Sequence, residues 1–261
     1  METDPSILLA SLCLSEKAVS EIFPLCEVRG FPEGDAIDLG NSIFKNAPFI
    51  VQSGLVGSRF KNINPSTSIL DIFGPKALLG EAVFFGDVHT VDFICETPVK
   101  VLALPTKEIL MLLAKEPRFK NHVQKVFYWR YRHGECIRNI HKTQDTALRA
   151  TFLLSHFVYS LMQSHSYEGD ENKSAAQKEI DVHIKQSVLA SHFEMSRTNF
   201  SQCLQNLESN GWLQLGYGFI KFVQLPVWRA IYQMRRENKL FNDELFKKIE
   251  QDFGVLQSAI R

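Results

Sequence analysis

The sequence predicts an α+β chain in four parts: a β-roll, a long helix, a winged helix-turn-helix and a helical tail. Three observations predict it. Short β-rich runs split by Gly and Pro fill roughly the first 105 residues. A helical period takes over after Pro105. The stretch SVLASHFEMSRTNFSQCLQNLESNGWL, from Ser187 to Leu213, then holds two small amphipathic patterns ahead of two strand-like runs. The expected boundaries are 1–116 for the roll, 117–142 for the long helix, 143–225 for the winged module and 226–261 for the tail. A chain of 261 residues can bury such cores, and 45% hydrophobic content is that of a globular protein.

The elements follow in order. An apolar helical pattern runs near Ser6–Phe23. "RGFPEGDAIDLGN" sets Pro32, Gly34 and Gly40 as turn residues around an alternating run, and "PFIVQSGLVGSRF", "TSILDIFGPKALLGEAVFF" and "HTVDFICETPVKVLAL" complete the roll. "TKEILMLLAKEP" is a short helix that stops near Pro117. From Arg118 to about Ile140, the positions Phe119, Val123, Val126, Arg130, His133, Ile137 and Ile140 alternate spacings of four and three, which is a heptad seam. Such a seam suits a helix that pairs with another copy of itself; a helix packed on the β module is the alternative. Gly134 inside it costs about 1 kcal/mol against Ala.

Asp145 is a fitting N-cap for "TALRATFLLSHFVYSLM", whereas "QSHSYEGDENKSAAQK" has no periodicity and reads as a loop. "EIDVHIK" alternates through Ile180, Val182 and Ile184. In the two small helices, Val188, Leu189, Ala190 and Phe193 form one buried side, and Phe200, Leu204 and Leu207 the other, with Ser196 as cap. "GWLQLGYGFIKFV" adds two strands around Gly216 and Gly218. Helix, tight turn, helix and hairpin make a winged helix-turn-helix. A helical hairpin with an ordinary polar surface is the plainer alternative.

The second helix of such a module offers its first turns to base edges. Here those positions are Ser196, Arg197, Thr198, Asn199, Ser201 and Gln202. Arg can fork onto guanine, and Asn or Gln onto adenine. Charge is less decisive. Lys plus Arg equals Asp plus Glu, 29 each, and the module itself is balanced. Lys120 to Arg149 carries seven basic residues against Glu135 and Asp145, so Lys142 and Arg149 are candidates for phosphate contacts.

Other classes find little support. The five cysteines are scattered, with no Cys-x-x-Cys or Cys/His cluster, and no phosphate loop, nucleophile elbow or His-Glu-x-x-His pair occurs. Neither an enzyme, a metal nor a cofactor is expected. No apolar run approaches the roughly 18 residues that span a bilayer, and the acidic start METDPS lacks the basic region of a signal peptide. A cytoplasmic protein is expected.

With this order of elements, the chain resembles the Crp–Fnr family of bacterial transcription regulators over about residues 25 to 225. "PFIVQSGLV" is similar to that family's strand pair "YYIVKGSV", "LLGE" to its "FIGE" ahead of the effector pocket, and "MSRTNFSQCLQNLESNGWL" to its recognition helix. The resemblance implies a cyclic-nucleotide-binding-like roll and a homodimer paired through the long helix. It also implies a two-fold symmetric double-stranded DNA site, with RNA polymerase as a candidate partner. Gly80 and Glu81 match the pocket motif. His89 stands where cyclic AMP binders have the phosphate-holding Arg, followed by Thr90, and the adenine-reading hydroxyl pair falls at Gly134 and Glu135. A neutral imidazole cannot fork onto a phosphate, so control by cyclic AMP is not expected. Cys13 and Cys26 do not supply the cluster of the iron–sulfur branch, and no spacing of the eight histidines singles out a haem ligand. In the recognition helix, Thr198 replaces the usual Glu and Gln202 the second Arg, while Glu194 occupies a turn position that often holds Gly. A different DNA preference follows. The rival reading is a family-derived interaction or anti-regulator protein that no longer binds DNA.

Overall fold

The computed structural model of the chain describes residues 4–40, 47–60, 69–86, 91–164 and 179–236. It divides into two compact units, Met1–Tyr131 and Arg132–Arg261.

The first unit opens with two short helices, α1 (Pro5–Ala10) and α2 (Glu16–Ile22), where the sequence suggests one. Two local features break the pattern. Cys13 adopts a left-handed φ of 59°, and Ser15 caps a new start by accepting from the Ala18 amide.

The roll consists of two antiparallel sheets. One has the order β1-β7-β2-β5, from β1 (Glu27–Phe31), β2 (Phe49–Ser53), β5 (Leu78–Leu79) and β7 (Val99–Ala103). The other has the order β4-β3-β6, from β3 (Val56–Phe60), β4 (Ile69–Phe73) and β6 (Val91–Cys95). Period-two alternation sends Phe49, Val51, Leu79, Val99, Val101 and Ala103 into one core, shared with Val56, Phe93 and Cys95. Ile50, Leu78 and Leu102 point the opposite way, into a second core with Leu8, Leu9, Leu12 and Ile22. The first sheet is therefore covered on both faces, which is why "FIV" and "VLAL" are unbroken apolar runs rather than alternating ones.

Helix α3 (Thr106–Lys115) and the start of α4 (Pro117–Ile140) close this second core through Ile109, Phe119 and Val123. As the sequence suggests, the short helix stops just before Pro117, at Lys115, and Pro117 begins the next helix, where a missing amide hydrogen costs nothing. The heptad seam has a different role. Phe119, Val123, Val126, His133 and Ile140 are all buried within the chain. These five seam residues thus attach α4 to its own chain.

The second unit holds the rest of α4, then α5 (Thr146–Ser164), capped by Asp145, which accepts from the Leu148 amide at 2.8 Å. A three-stranded sheet of order β8-β10-β9 follows, from β8 (Ile180–Val182), β9 (Leu213–Gly216) and β10 (Phe219–Phe222). Between β8 and β9 lie α6 (Gln186–His192) and α7 (Arg197–Ser209). The last described helix, α8 (Leu225–Arg236), is no loose extension at its start. Trp228 is fully buried, meets Trp212 and Phe222 edge to face at 5.7 and 5.3 Å, and donates from Nε1 to the Val223 carbonyl at 3.0 Å. The remainder of the expected tail, 237–261, lies outside the described residues.

Candidate nucleic-acid interface and effector pocket

Helix α7 begins where the backbone turns sharply. Glu194 adopts a φ of 52°, a left-handed conformation usually left to Gly, and Met195 closes the turn with its amide on the Ala190 carbonyl at 2.9 Å. Ser196 then caps α7 by accepting from the Asn199 amide at 3.2 Å. The turn is locked from beneath by Phe193 and Phe200, both buried, with rings edge to face at 5.5 Å.

This packing fixes which side chains stay outside. Phe200, Cys203, Leu204 and Leu207 are buried, while Ser196, Arg197, Thr198, Asn199 and Gln202 are exposed and Ser201 is half-buried. All six candidate residues therefore lie together on the first two turns of α7. They present a guanidinium, an amide pair and three hydroxyls, the donor and acceptor types that read base edges.

Beside α7, β9 and β10 form a hairpin closed by Tyr217 and Gly218. Gly218 takes a φ of 76°, and Tyr217 is fully exposed at the tip. The Phe219 ring packs close over Gly216: a Cβ there would lie 1.9 Å from it, so the ring would have to move to admit a side chain. Tyr217 is not among the candidates that the sequence offers; the signal for it is its place between two glycines at a hairpin tip. The one lysine of the wing, Lys221, is engaged by Glu179 at 3.0 Å, and that carboxylate raises its pKa.

The pocket motif belongs to the first unit. After β5, Gly80 takes a φ of 79° and starts a 3-10 turn, Glu81–Phe85, that ends at Gly86 with a φ of 73°. Glu81 is paired with Arg130 of α4, which also donates to the Leu78 carbonyl. The Arg130 guanidinium carbon lies 4.8 Å from the centre of the Phe73 ring, a cation–π contact. Spacing alone puts Arg130 in the seam; it is instead the cation that fixes Glu81. His89 and Thr90 lie outside the described residues. Gly134 and Glu135 sit in the second unit, where Glu135 accepts from Arg132 at 3.0 Å. Among the described residues, no group of three or more His, Cys, Asp or Glu side chains is arranged to hold a metal ion.

Helix α4 also carries an aromatic face. Phe127, Tyr128 and Tyr131 are exposed, and the Phe127 ring lies 4.6 Å from that of exposed Phe85. No helix among the described residues is long and apolar enough to cross a membrane.

Residues 29–116 match the family model of the cyclic nucleotide-binding domain. No curated protein sequence matches the chain. Among solved structures, FixK2 from Bradyrhizobium japonicum aligns with a TM-score of 0.60 at 12% identity, covering 79% of this chain and 96% of its own. A transcriptional regulator of the CRP/FNR family from Thermus thermophilus aligns at 0.53 and 19% identity, covering 80% and 100%. A cyclic nucleotide-binding domain containing protein from Listeria monocytogenes aligns at 0.56 and 13%, covering 85% and 97%. Residues 29–116 thus match the cyclic nucleotide-binding domain, in a chain that has the same fold as solved CRP/FNR-type transcription regulators.

Proposed function

We propose that the chain is a dimeric DNA-binding transcription regulator, with α7 as its recognition helix and a sensor domain that does not answer to cyclic AMP. The observation that carries the reading is the first two turns of α7, where Arg197, Thr198, Asn199 and Gln202 stand exposed above a fully packed underside. The adjoining hairpin supplies a wing, with Tyr217 at its tip. Pairing of two chains along α4 would present two such helices to a two-fold symmetric site. The solved relatives of the same fold that are described as transcriptional regulators support this reading.

The pairing face is Phe127, Tyr128 and Tyr131, with Phe85, rather than the heptad seam, since these aromatics are apolar surface that α4 leaves exposed among the described residues. Against cyclic AMP stand His89 in the place of the phosphate-binding Arg, and a carboxylate at Glu135 where a hydroxyl is expected. A second reading has one observation in its favour. Lys221 is spent on Glu179, leaving the wing little positive charge for phosphates. An adaptor that binds protein through α7 would tolerate that neutrality.

Binding to genomic DNA fragments over a range of salt separates the two. The regulator reading expects retained fragments sharing an inverted repeat, with affinity falling steeply as salt rises. No enrichment at low salt would rule it out in favour of the adaptor.

A further inference from the structure

The second unit contains a chain of side chains that the proposed DNA-binding surface does not use. Cys136 and His133 lie one turn apart on α4, and His156 comes from α5. The Cys136 Sγ is 3.2 Å from Nε2 of His156, and Nδ1 of His156 is 3.3 Å from Nδ1 of His133. Both imidazoles are buried, whereas Cys136 is partly exposed. The Tyr232 ring lies 4.6 Å from that of His156 and stacks on Tyr159 at 3.6 Å, so His156 is held in place from the side as well.

Hydrogen-bond accounting constrains the protons. If the thiol donates to Nε2 of His156, then Nδ1 of that ring carries its hydrogen and donates to Nδ1 of His133. Passing the thiol proton to Nε2 then requires no heavy atom to move. It leaves a thiolate against an imidazolium whose other N–H is already accepted by His133. A nucleophile, a base within hydrogen-bond reach and a third group orienting that base form the general arrangement of an activated thiol.

We propose that Cys136 is a reactive thiol and a site of oxidation by hydrogen peroxide, with His156 as its base and His133 as a positioning residue. In the step, the Cys136 thiolate attacks one peroxide oxygen. The S–O bond forms as the O–O bond breaks. The departing hydroxide takes the Nε2 proton of His156 and leaves as water. Sulfur is oxidised by two electrons to a sulfenic acid, and the peroxide is reduced by two. The oxygen added to sulfur displaces the Cys136–His156 bond, which together with the His133–His156 bond ties α4 to α5.

The other four thiols provide internal controls. Burial pushes Cys26 up to about 12 and Cys95 up to about 11, and it raises Cys203 as well. Cys13 has its own imidazole, His122, but at 3.8 Å and held neutral, with burial and then Lys125 pushing it down to about 4. Cys136 also lies outside the proposed pairing face. At about 100° per residue it stands about 180° from Phe127, about 140° from Tyr131 and about 80° from Tyr128.

The test uses the full chain under native conditions at neutral pH. Iodoacetamide labelling is followed at each cysteine by mass spectrometry, and dimedone traps sulfenic acid after a limiting dose of hydrogen peroxide. Cys136 is expected to be alkylated at least about tenfold faster than Cys13, and to carry the dimedone adduct. His156→Gln should slow both reactions at Cys136 by about tenfold or more. If that variant fails to fold by circular dichroism, His133→Gln, which keeps both the nucleophile and its base, should slow them several-fold. Alkylation of Cys136 no faster than Cys13 overturns the proposal. So does the absence of a dimedone adduct there, or indifference of its rate to a folded imidazole variant.

Discussion

Replacing Tyr128 and Tyr131 by Glu should abolish self-association and leave the fold intact. The two rings are 63% and 59% exposed on α4. An aromatic side chain buries on the order of 200 Å² in full. Covering the exposed part of each ring therefore removes about 120 Å² from water. At about 25 cal/mol per Å² this contributes roughly 3 kcal/mol per ring before the costs of association. Two-fold symmetry introduces every substitution twice, and a buried unpaired carboxylate adds its own penalty. Even with much of the gross figure lost to ordering, a net loss of about 3 kcal/mol is expected, which weakens the dimer about a hundredfold. Sedimentation equilibrium of wild type and double variant reads this directly. Val126→Glu serves as the contrast: Val126 is 6% exposed, so the charge there should unfold the chain rather than merely divide a dimer. A wild type that is monomeric at about 10 µM, or a double variant that dimerises as tightly as wild type, refutes the assignment of this face.

Three further outcomes are expected. His122 is buried and held down to about 4, so the unfolded chain takes up a proton first as pH falls from about 6.5. Its contribution is thus fully present above that pH and lost on acidification; urea titrations should show His122→Gln sparing about 2–3 kcal/mol of the loss between pH 7 and 4.5. Glu96 is 5% exposed and accepts from Arg59 at 2.7 Å, with Gly57 leaving room for it: a Cβ there would lie 2.3 Å from Oε1. Glu96→Ala should cost about 3–5 kcal/mol in chemical denaturation, because it breaks a buried ion pair by removing one partner. Cyclic AMP should show no low-micromolar affinity in calorimetric titration, because His in place of Arg at position 89 forfeits a bidentate, charge-assisted contact worth roughly 1.5–3 kcal/mol.

The fold is legible in the sequence because its elements are built from local rules. Asp145 and Ser196 cap the helices that their positions predict, and the buried residues of α7 are those at its apolar spacing. The six candidate residues of α7 follow directly, since a helix with one packed side leaves the others exposed. What periodicity cannot reveal is which partner covers an apolar stripe. The seam from Phe119 to Ile140 has the right spacing for a coiled coil, yet the first of these residues close the roll's own core. For the same reason Arg130 reads as a polar lapse in a seam, although Glu81, the partner that explains it, lies 49 residues away in the chain. The buried start of α8 is hidden by the strong charge that follows it in sequence. The Cys136, His156 and His133 chain joins two helices at unrelated spacings, so no motif announces it.

The most direct measurement is the affinity of Arg197→Ala for a DNA site taken from fragments that the wild type retains, and for every single-base variant of that site. Arg197 is exposed on the first turn of α7 and is the only arginine in that helix. The account predicts a loss of about 1–3 kcal/mol, roughly 5- to 150-fold in affinity, with preference relaxed at one base pair in each half-site. A variant that keeps wild-type affinity and wild-type preference at every position would contradict the placement of α7 in the major groove.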